Sequence, residues 1–275
     1  MKHRLISSAI ALPLVLGGIL LGGIWFSLII IFGAVVSAYE LARITGNNLR
    51  KEPFISAILA GLIVTFVQTY DSYLDGLPSI NIEASTTILP IVLLSFVFTS
   101  ILILLMWGSD RKLGSFTCVV SSVSYTAGLL SFAVLARNSE FGLGWIVFLS
   151  LIVWANDTGS YIIGKTVGKT PFFPTISPNK TVEGAIGGYV CGLAVAIASG
   201  LLLPHFGFVD LGLYSLLILG FIFVVLAQTG DLFESSLKRR ANLKDSGSIM
   251  PGHGGALDRL DSIVLAFPVL YYFAQ

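Results

Sequence analysis

With 275 residues, 55% of them hydrophobic and only 11% charged, and a mean hydropathy of +0.89, the chain carries more apolar surface than one soluble core could bury. This excludes an ordinary soluble domain and predicts an all-α, polytopic integral membrane protein, with no nucleic-acid partner expected. The net charge of +1 conceals a strong local segregation, so the position of each charge says more than the sum.

The opening "MKHRLISSAIALPLVLGGILLGG" has the basic start and apolar run of a signal peptide, but no A-x-A-like site closes it and the apolar sequence resumes at once. It is read as a first membrane span. Windows of about 20 apolar residues, the length a bilayer core requires, predict nine spans, at 5–21, 24–44, 54–70, 86–107, 113–136, 142–161, 181–203, 210–230 and 257–273. The first two share a Gly-Gly turn short enough to belong to a re-entrant hairpin. Cys118 and Cys191 both lie in apolar runs with no ligand-spaced partner, and are read as small buried hydrophobes.

Lys and Arg stay on the cytoplasmic side of short loops. With the N-terminus inside, fifteen of the sixteen fall there, and only Arg137 lies outside. The expected arrangement is a multi-pass protein of the inner (cytoplasmic) membrane, with its N-terminus in the cytoplasm and its C-terminus outside. One membrane domain covers 1–275: residues 1–140 are read as mainly scaffold, with Glu40 an intramembrane oddity, and 141–275 as the part that carries chemistry.

Two stretches gather the polar residues. The first, "ANDTGSYIIGKTVGKTPFFPTISPNKTVEG", contains "GSYIIGKT" at Gly159–Thr166, which formally satisfies the phosphate-loop pattern. That motif needs a strand before it and a helix after it; here a membrane-length apolar run precedes it and a Pro-rich stretch follows, so a phosphate loop is not expected. Ser177, Asn179, Lys180 and Thr181 stand at the predicted start of the seventh span and offer hydroxyl, amide, ammonium and backbone N–H groups to a phosphate. Ser177 or Asn179 could equally be an ordinary N-cap. Asp157 falls about sixteen residues into its helix, some 24 Å along at 1.5 Å per residue, near the inner face, while Glu183 in the first turn of the next span suits the helix dipole.

The second stretch, "KRRANLKDSGSIMPGHGGALDRLD" at 238–261, brings cations between two pairs of acids: Asp231 with Glu234, and Asp258 with Asp261. Anchoring to anionic headgroups would explain the cations alone. An ionised side chain at mid-bilayer costs about 2.5 to 3.5 kcal/mol on insertion scales, so the four acids are expected at a wet inner mouth. Residues three apart share a helix face, so each pair can aim at a common point, and carboxylates beside the anion-binding N–H groups of "GHGG" suggest a divalent ion shared with phosphates. Capping by Asp258 is the structural alternative. His253 is read either as a ligand or proton carrier, or as a loop residue bonded to backbone.

These residues resemble a known family. Ser235, Lys238, Arg239, Lys244, Asp245, Gly247, Pro251, His253, Gly254, Gly255, Asp258, Arg259 and Asp261 match, in spacing, the signature of the phosphatidate cytidylyltransferases (CDP-diacylglycerol synthases), and "SPNKTVEG" at 177–184 is similar to a second stretch of that family. Met250 and Ala256 depart from the usual residues. The resemblance implies that phosphatidic acid and CTP react to CDP-diacylglycerol and pyrophosphate with Mg2+, with a second cation and a homodimer also expected. Two unit negative charges 4 Å apart repel by about 4 kcal/mol at an effective dielectric of 20, a barrier that cations must remove. The expected roles follow. Asp231, Asp258 and Asp261 hold metal, Lys238, Arg239, Lys244 and Arg259 neutralise phosphate, and Asp231, Asp258, Asp261, Lys244 and Arg259 form the catalytic set. Ser177, Asn179, Lys180, Lys238, Arg239, His253, Gly254, Gly255 and Asp157 are expected to contact substrate. A CTP-dependent polyprenol or phytol kinase and a cation or proton transporter remain as other readings.

Overall fold

The computed structural model describes residues 2–46, 50–75, 82–107, 113–206, 210–249 and 254–275, and among these the chain is helical almost throughout. Apolar runs without polar breaks leave the backbone no partner but itself, and in a lipid environment a helix satisfies every internal N–H and C=O. The helices are α1 (Lys2–Leu21), α2 (Gly23–Gly46), α3 (Glu52–Asp75), α4 (Ile82–Met106), α5 (Ser115–Val123), α6 (Leu129–Asn138), α7 (Gly142–Val167), α8 (Val182–Leu202), α9 (Leu213–Arg240), α10 (Leu257–Val264) and α11 (Phe267–Ala274).

Seven of these helical stretches are long and apolar enough to cross a membrane, and they coincide with the second to eighth predicted spans. The count of nine is not confirmed at either end. In α1 the described apolar part is Leu12–Leu21. The last predicted span is two helices of eight residues, each about 12 Å long. Pro268 explains the break: its ring would collide with the carbonyl four residues back, Val264, where α10 ends.

The bundle is built around the fifth predicted span. α5 and α6 run as one stretch through a single π-helical turn, Ser124–Gly128, and nearly all of it is buried, whereas the other spans leave half or more of their surface outward. Tyr125 in that turn is fully buried, its ring 5.3 Å from that of Phe233 on α9. Outward faces carry Phe32, Phe66, Phe98, Ile186, Leu201 and Phe221 exposed, the reverse of a soluble surface and the expected face toward lipid.

Between α1 and α2 the chain turns at Gly22 and Gly23, with φ of 65° and 49°, a left-handed conformation that glycine adopts without strain. Arg137, the one cation on the expected outer side, donates through Nε to the carbonyl of Ile19 at 3.0 Å, capping the C-terminus of α1. Arg240 does the same for α4, reaching the carbonyls of Leu104 at 2.9 Å and Trp107 at 2.6 Å.

α7 and α8 make the most extensive helix pair, and they do so through glycine. A Cβ on Gly188 would meet Ser160 Oγ and the Asn156 backbone, one on Gly159 would meet Cys191, and one on Gly187 would meet Ile163. Gly188→Val is expected to separate the two helices and lower stability by about 1–3 kcal/mol, the usual range for overpacking. A lower thermal unfolding midpoint in detergent checks this.

Candidate active site

Between α7, α8, α9 and α10 lies a cleft of about 640 Å³ lined by Asp157, Asn179, Lys180, Asp231, Asp258 and Asp261, among others. The segment after α7 folds back on itself: Phe172 N–H donates to the Lys180 carbonyl at 2.8 Å, and Val182 N–H to the Thr170 carbonyl at 2.9 Å. Glu183 ties this turn down, accepting from the N–H groups of Lys169 at 3.0 Å and Thr170 at 3.1 Å. Its role here is structural. The cap of α8 is Thr181, whose Oγ1 accepts from Gly184 N at 3.1 Å. Because the helix begins at Val182, neither Ser177 nor Asn179 caps it; Asn179 lines the cleft and Ser177 stays in the turn.

Lys180 is thereby aimed into the cleft, where its Nζ stands 2.7 Å from Asp231 Oδ2. Opposite, Asn156 Nδ2 donates to Asp157 Oδ1 at 3.0 Å, and Gln228 Nε2 bonds both Asn156 Oδ1 and the Ala185 carbonyl at 2.9 Å. Gln228 and Asn156 thus join α9 to α7 and α8 beneath the acids. No motif spacing marks Gln228, and Asn156 stands out only as the start of an N-x-T match, which says nothing of this contact. Gly159–Thr166 lies wholly inside α7, so the phosphate-loop pattern is helix and forms no loop.

The α9 pair separates. Asp231 faces the cleft, but Glu234 is 0% exposed and turned inward, with Lys238 Nζ at 3.0 Å from its Oε1. The expectation that Asp231 and Glu234 aim at one point fails because Glu234 is buried against Lys238 while Asp231 lines the cleft. Lys238, only 7% exposed, also reaches Asp258 Oδ1 at 2.6 Å, so its ammonium is held by protein carboxylates. Arg239 is exposed and braces loops, donating to the carbonyls of Ile176 at 3.1 Å and Leu243 at 2.8 Å. Lys244 is exposed just beyond α9. Arg259 is exposed on the other side of α10 from Asp258 and Asp261, where it lines an apolar groove of about 720 Å³ between α1, α2, α7 and α10. His253 lies outside the described residues.

Asp258 is heavily bonded. Oδ1 takes Lys238, while Oδ2 accepts from Ser246 N at 2.9 Å, Ser246 Oγ at 2.9 Å and Gly255 N at 2.8 Å. A carboxylate has about four lone-pair sites, two on each oxygen, so Oδ2 is crowded with donors while Oδ1 is held by Lys238 alone. The N–H groups at the start of α10 are also taken, by Glu40 of α2: Ala256 N donates to Oε1 at 3.2 Å and Leu257 N to Oε2 at 2.9 Å. The anion at this helix start is a side chain of the protein, where a substrate phosphate was expected. Gly254, at φ 86°, places its missing Cβ against Asp258.

Among the described residues no three acidic, His or Cys side chains stand at a common ligand distance. The donors are nevertheless hard oxygens on two facing elements, Asp231 on α9 and Asp261 on α10, both lining the cleft. That suits magnesium, which is commonly held by one or two carboxylates and fills its octahedron with water and phosphate oxygens.

A helical bundle with seven membrane-length stretches among the described residues, and acids and a lysine in a cleft at one end of its helices, defines a polytopic membrane protein with a charged polar site. The sequence matches the model of the cytidylyltransferase family over residues 2–275, and the chain belongs to that family. It is similar to the phosphatidate cytidylyltransferase of Staphylococcus haemolyticus (strain JCSC1435), 35% identical over 270 residues that cover 98% of this chain and 97% of the relative. It is similar also to the phosphatidate cytidylyltransferase of Bacillus subtilis (strain 168), 33% identical over 278 residues that cover 99% and 97% of the two chains.

Proposed function

We propose that the chain is a phosphatidate cytidylyltransferase, transferring CMP from CTP to phosphatidic acid to give CDP-diacylglycerol and pyrophosphate. The observation that carries this is α10, whose acids face a polar cleft while Arg259 faces an apolar groove on its other side. A nucleotide triphosphate fits the first environment and a lipid the second. In the reaction a phosphate oxygen of the lipid attacks the α-phosphorus of CTP, the bond to the bridging oxygen breaks, and pyrophosphate leaves.

The residues act by position and charge, as in other phosphoryl transfers. Lys180 meets the triphosphate on entering the cleft, and Asn179 lies beside it. Lys244 and Arg239 add positive charge at the mouth, and Arg259 lies where a lipid phosphate would enter from the bilayer. Asp231 and Asp261 would hold magnesium, with Asp258 joining them if Lys238 yields Oδ1. The metal, when bound, supplies charge neutralisation between the two phosphates. The cleft faces the cytoplasm of an inner-membrane protein in this reading, which rests on the distribution of Lys and Arg.

Purified protein given labelled CTP, phosphatidic acid and Mg2+ should place cytidine in lipid and release pyrophosphate. Removal of Mg2+ by chelation should bring turnover to background, and added Mg2+ should restore it. Release of CDP would instead identify a lipid kinase, and no nucleotide turnover would leave a transporter.

A further inference from the structure

The N-terminal half reads as scaffold, yet one of its residues reaches into the site. Glu40, 3% exposed on α2, accepts three hydrogen bonds from the segment that carries Asp258: from Ala256 N at 3.2 Å, Leu257 N at 2.9 Å and Ser246 Oγ at 3.0 Å. Ser246 Oγ also lies 2.9 Å from Asp258 Oδ2, so one hydroxyl stands between the two carboxylates. A hydroxyl has a single proton. It serves one acid at a time and couples their positions.

Two glycines of the signature stretch are shaped by the same carboxylate. A Cβ on Gly247 would meet the Glu40 carboxyl, and one on Gly255 would meet both Ser246 Oγ and Glu40. The loop therefore lies directly on Glu40, with no side chain between. Burying a carboxylate is costly unless it is hydrogen-bonded, and here its partners are the otherwise open N–H groups of a helix start, where the dipole favours negative charge.

We infer that Glu40 is a positioning residue for the transfer reaction: it anchors the start of α10 and, through Ser246, sets Asp258 against Lys238. This rests on the reading of the cleft as the reaction site, but its first test does not need turnover. In Glu40→Gln the amide matches the shape and keeps one acceptor but turns a donor toward one of the two α10 N–H groups, so the start of α10 should loosen and Asp258 should withdraw from Lys238. Labelling of Lys238 by an amine-acylating reagent, read by peptide mass spectrometry, should then rise at least severalfold over the wild type. The unfolding midpoint should stay within a few degrees.

The kinetic test follows. Glu40→Gln should lower kcat about tenfold with KM for CTP little changed, and combining it with Ser246→Ala should cost scarcely more than either change alone. Unchanged Lys238 labelling overturns the inference, whatever the activity. So does a double variant whose defects multiply, because a merely structural Glu40 predicts that. Wild-type protein that is inactive with CTP and phosphatidic acid yet shows the labelling change would sink the reaction assignment and leave the positioning intact.

Discussion

Asp258→Asn should reduce CDP-lipid formation by at least about a hundredfold, the scale seen when one fixed electrostatic group is lost from a reaction centre, while the protein stays folded. The retained amide oxygen can still accept from Ser246 and Gly255, so the loop keeps its shape. What disappears is the negative charge 2.6 Å from Lys238. Lys238 is left with Glu234 at 3.0 Å, a neutral pair in a buried place. Breaking a buried pair outright costs about 3–5 kcal/mol, and the surviving partner keeps the loss below that. Turnover within threefold of wild type would refute a central role for Asp258.

Asp231→Asn should act differently. Its carboxylate is about a third exposed, and beyond the hydrogen bond from Ser235 it has one strong partner, Lys180 at 2.7 Å. It therefore keeps more open coordination than Asp258, which accepts from four donor groups. The expected result is a loss of at least about 10- to 100-fold in apparent Mg2+ affinity, the range seen when only a partner behind a metal ligand is removed, accompanied by a similar fall in turnover at limiting Mg2+. A Mg2+ titration checks it. An unshifted half-saturation point would remove Asp231 from the metal and leave it only the placement of Lys180.

These two aspartates show what the sequence could and could not convey. Their presence near one mouth followed from the cost of charge in lipid and from helical spacing, and the structure does place Asp231, Asp258 and Asp261 around one cleft. Seven of the predicted spans were legible because a 20-residue apolar window is a strong signal. The last predicted span is broken at Leu265–Ala266 and is not confirmed as a single crossing, since hydropathy does not register that Pro268 stops a helix four residues earlier.

The fine assignment of charge was not legible at all. Lys238 was expected to meet phosphate and is instead enclosed by Glu234 and Asp258, because sequence spacing along α9 says nothing of what α10 brings against it. Glu40 was visible as an oddity, but its partners lie 206 to 217 residues away along the chain. Gln228 and Asn156 carry no charge, and the N-x-T match at Asn156 does not point to this site, so only their convergence at the cleft reveals them.

α10 is eight residues long, a little over two turns, with acids on one face and Arg259, Leu260 and Ile263 on the other. In the proposed reaction it is a partition between two phases: the nucleotide never enters hydrocarbon and the lipid tails never leave it. Such a wall works only at one rotational setting. Each residue turns a helix by about 100°, so a one-residue slip at its start would carry the acids away from the water-filled side. The Glu40 carboxylate, gripping the first N–H groups of α10 from a separate helix, fixes that phase independently of the length of the loop that leads to it.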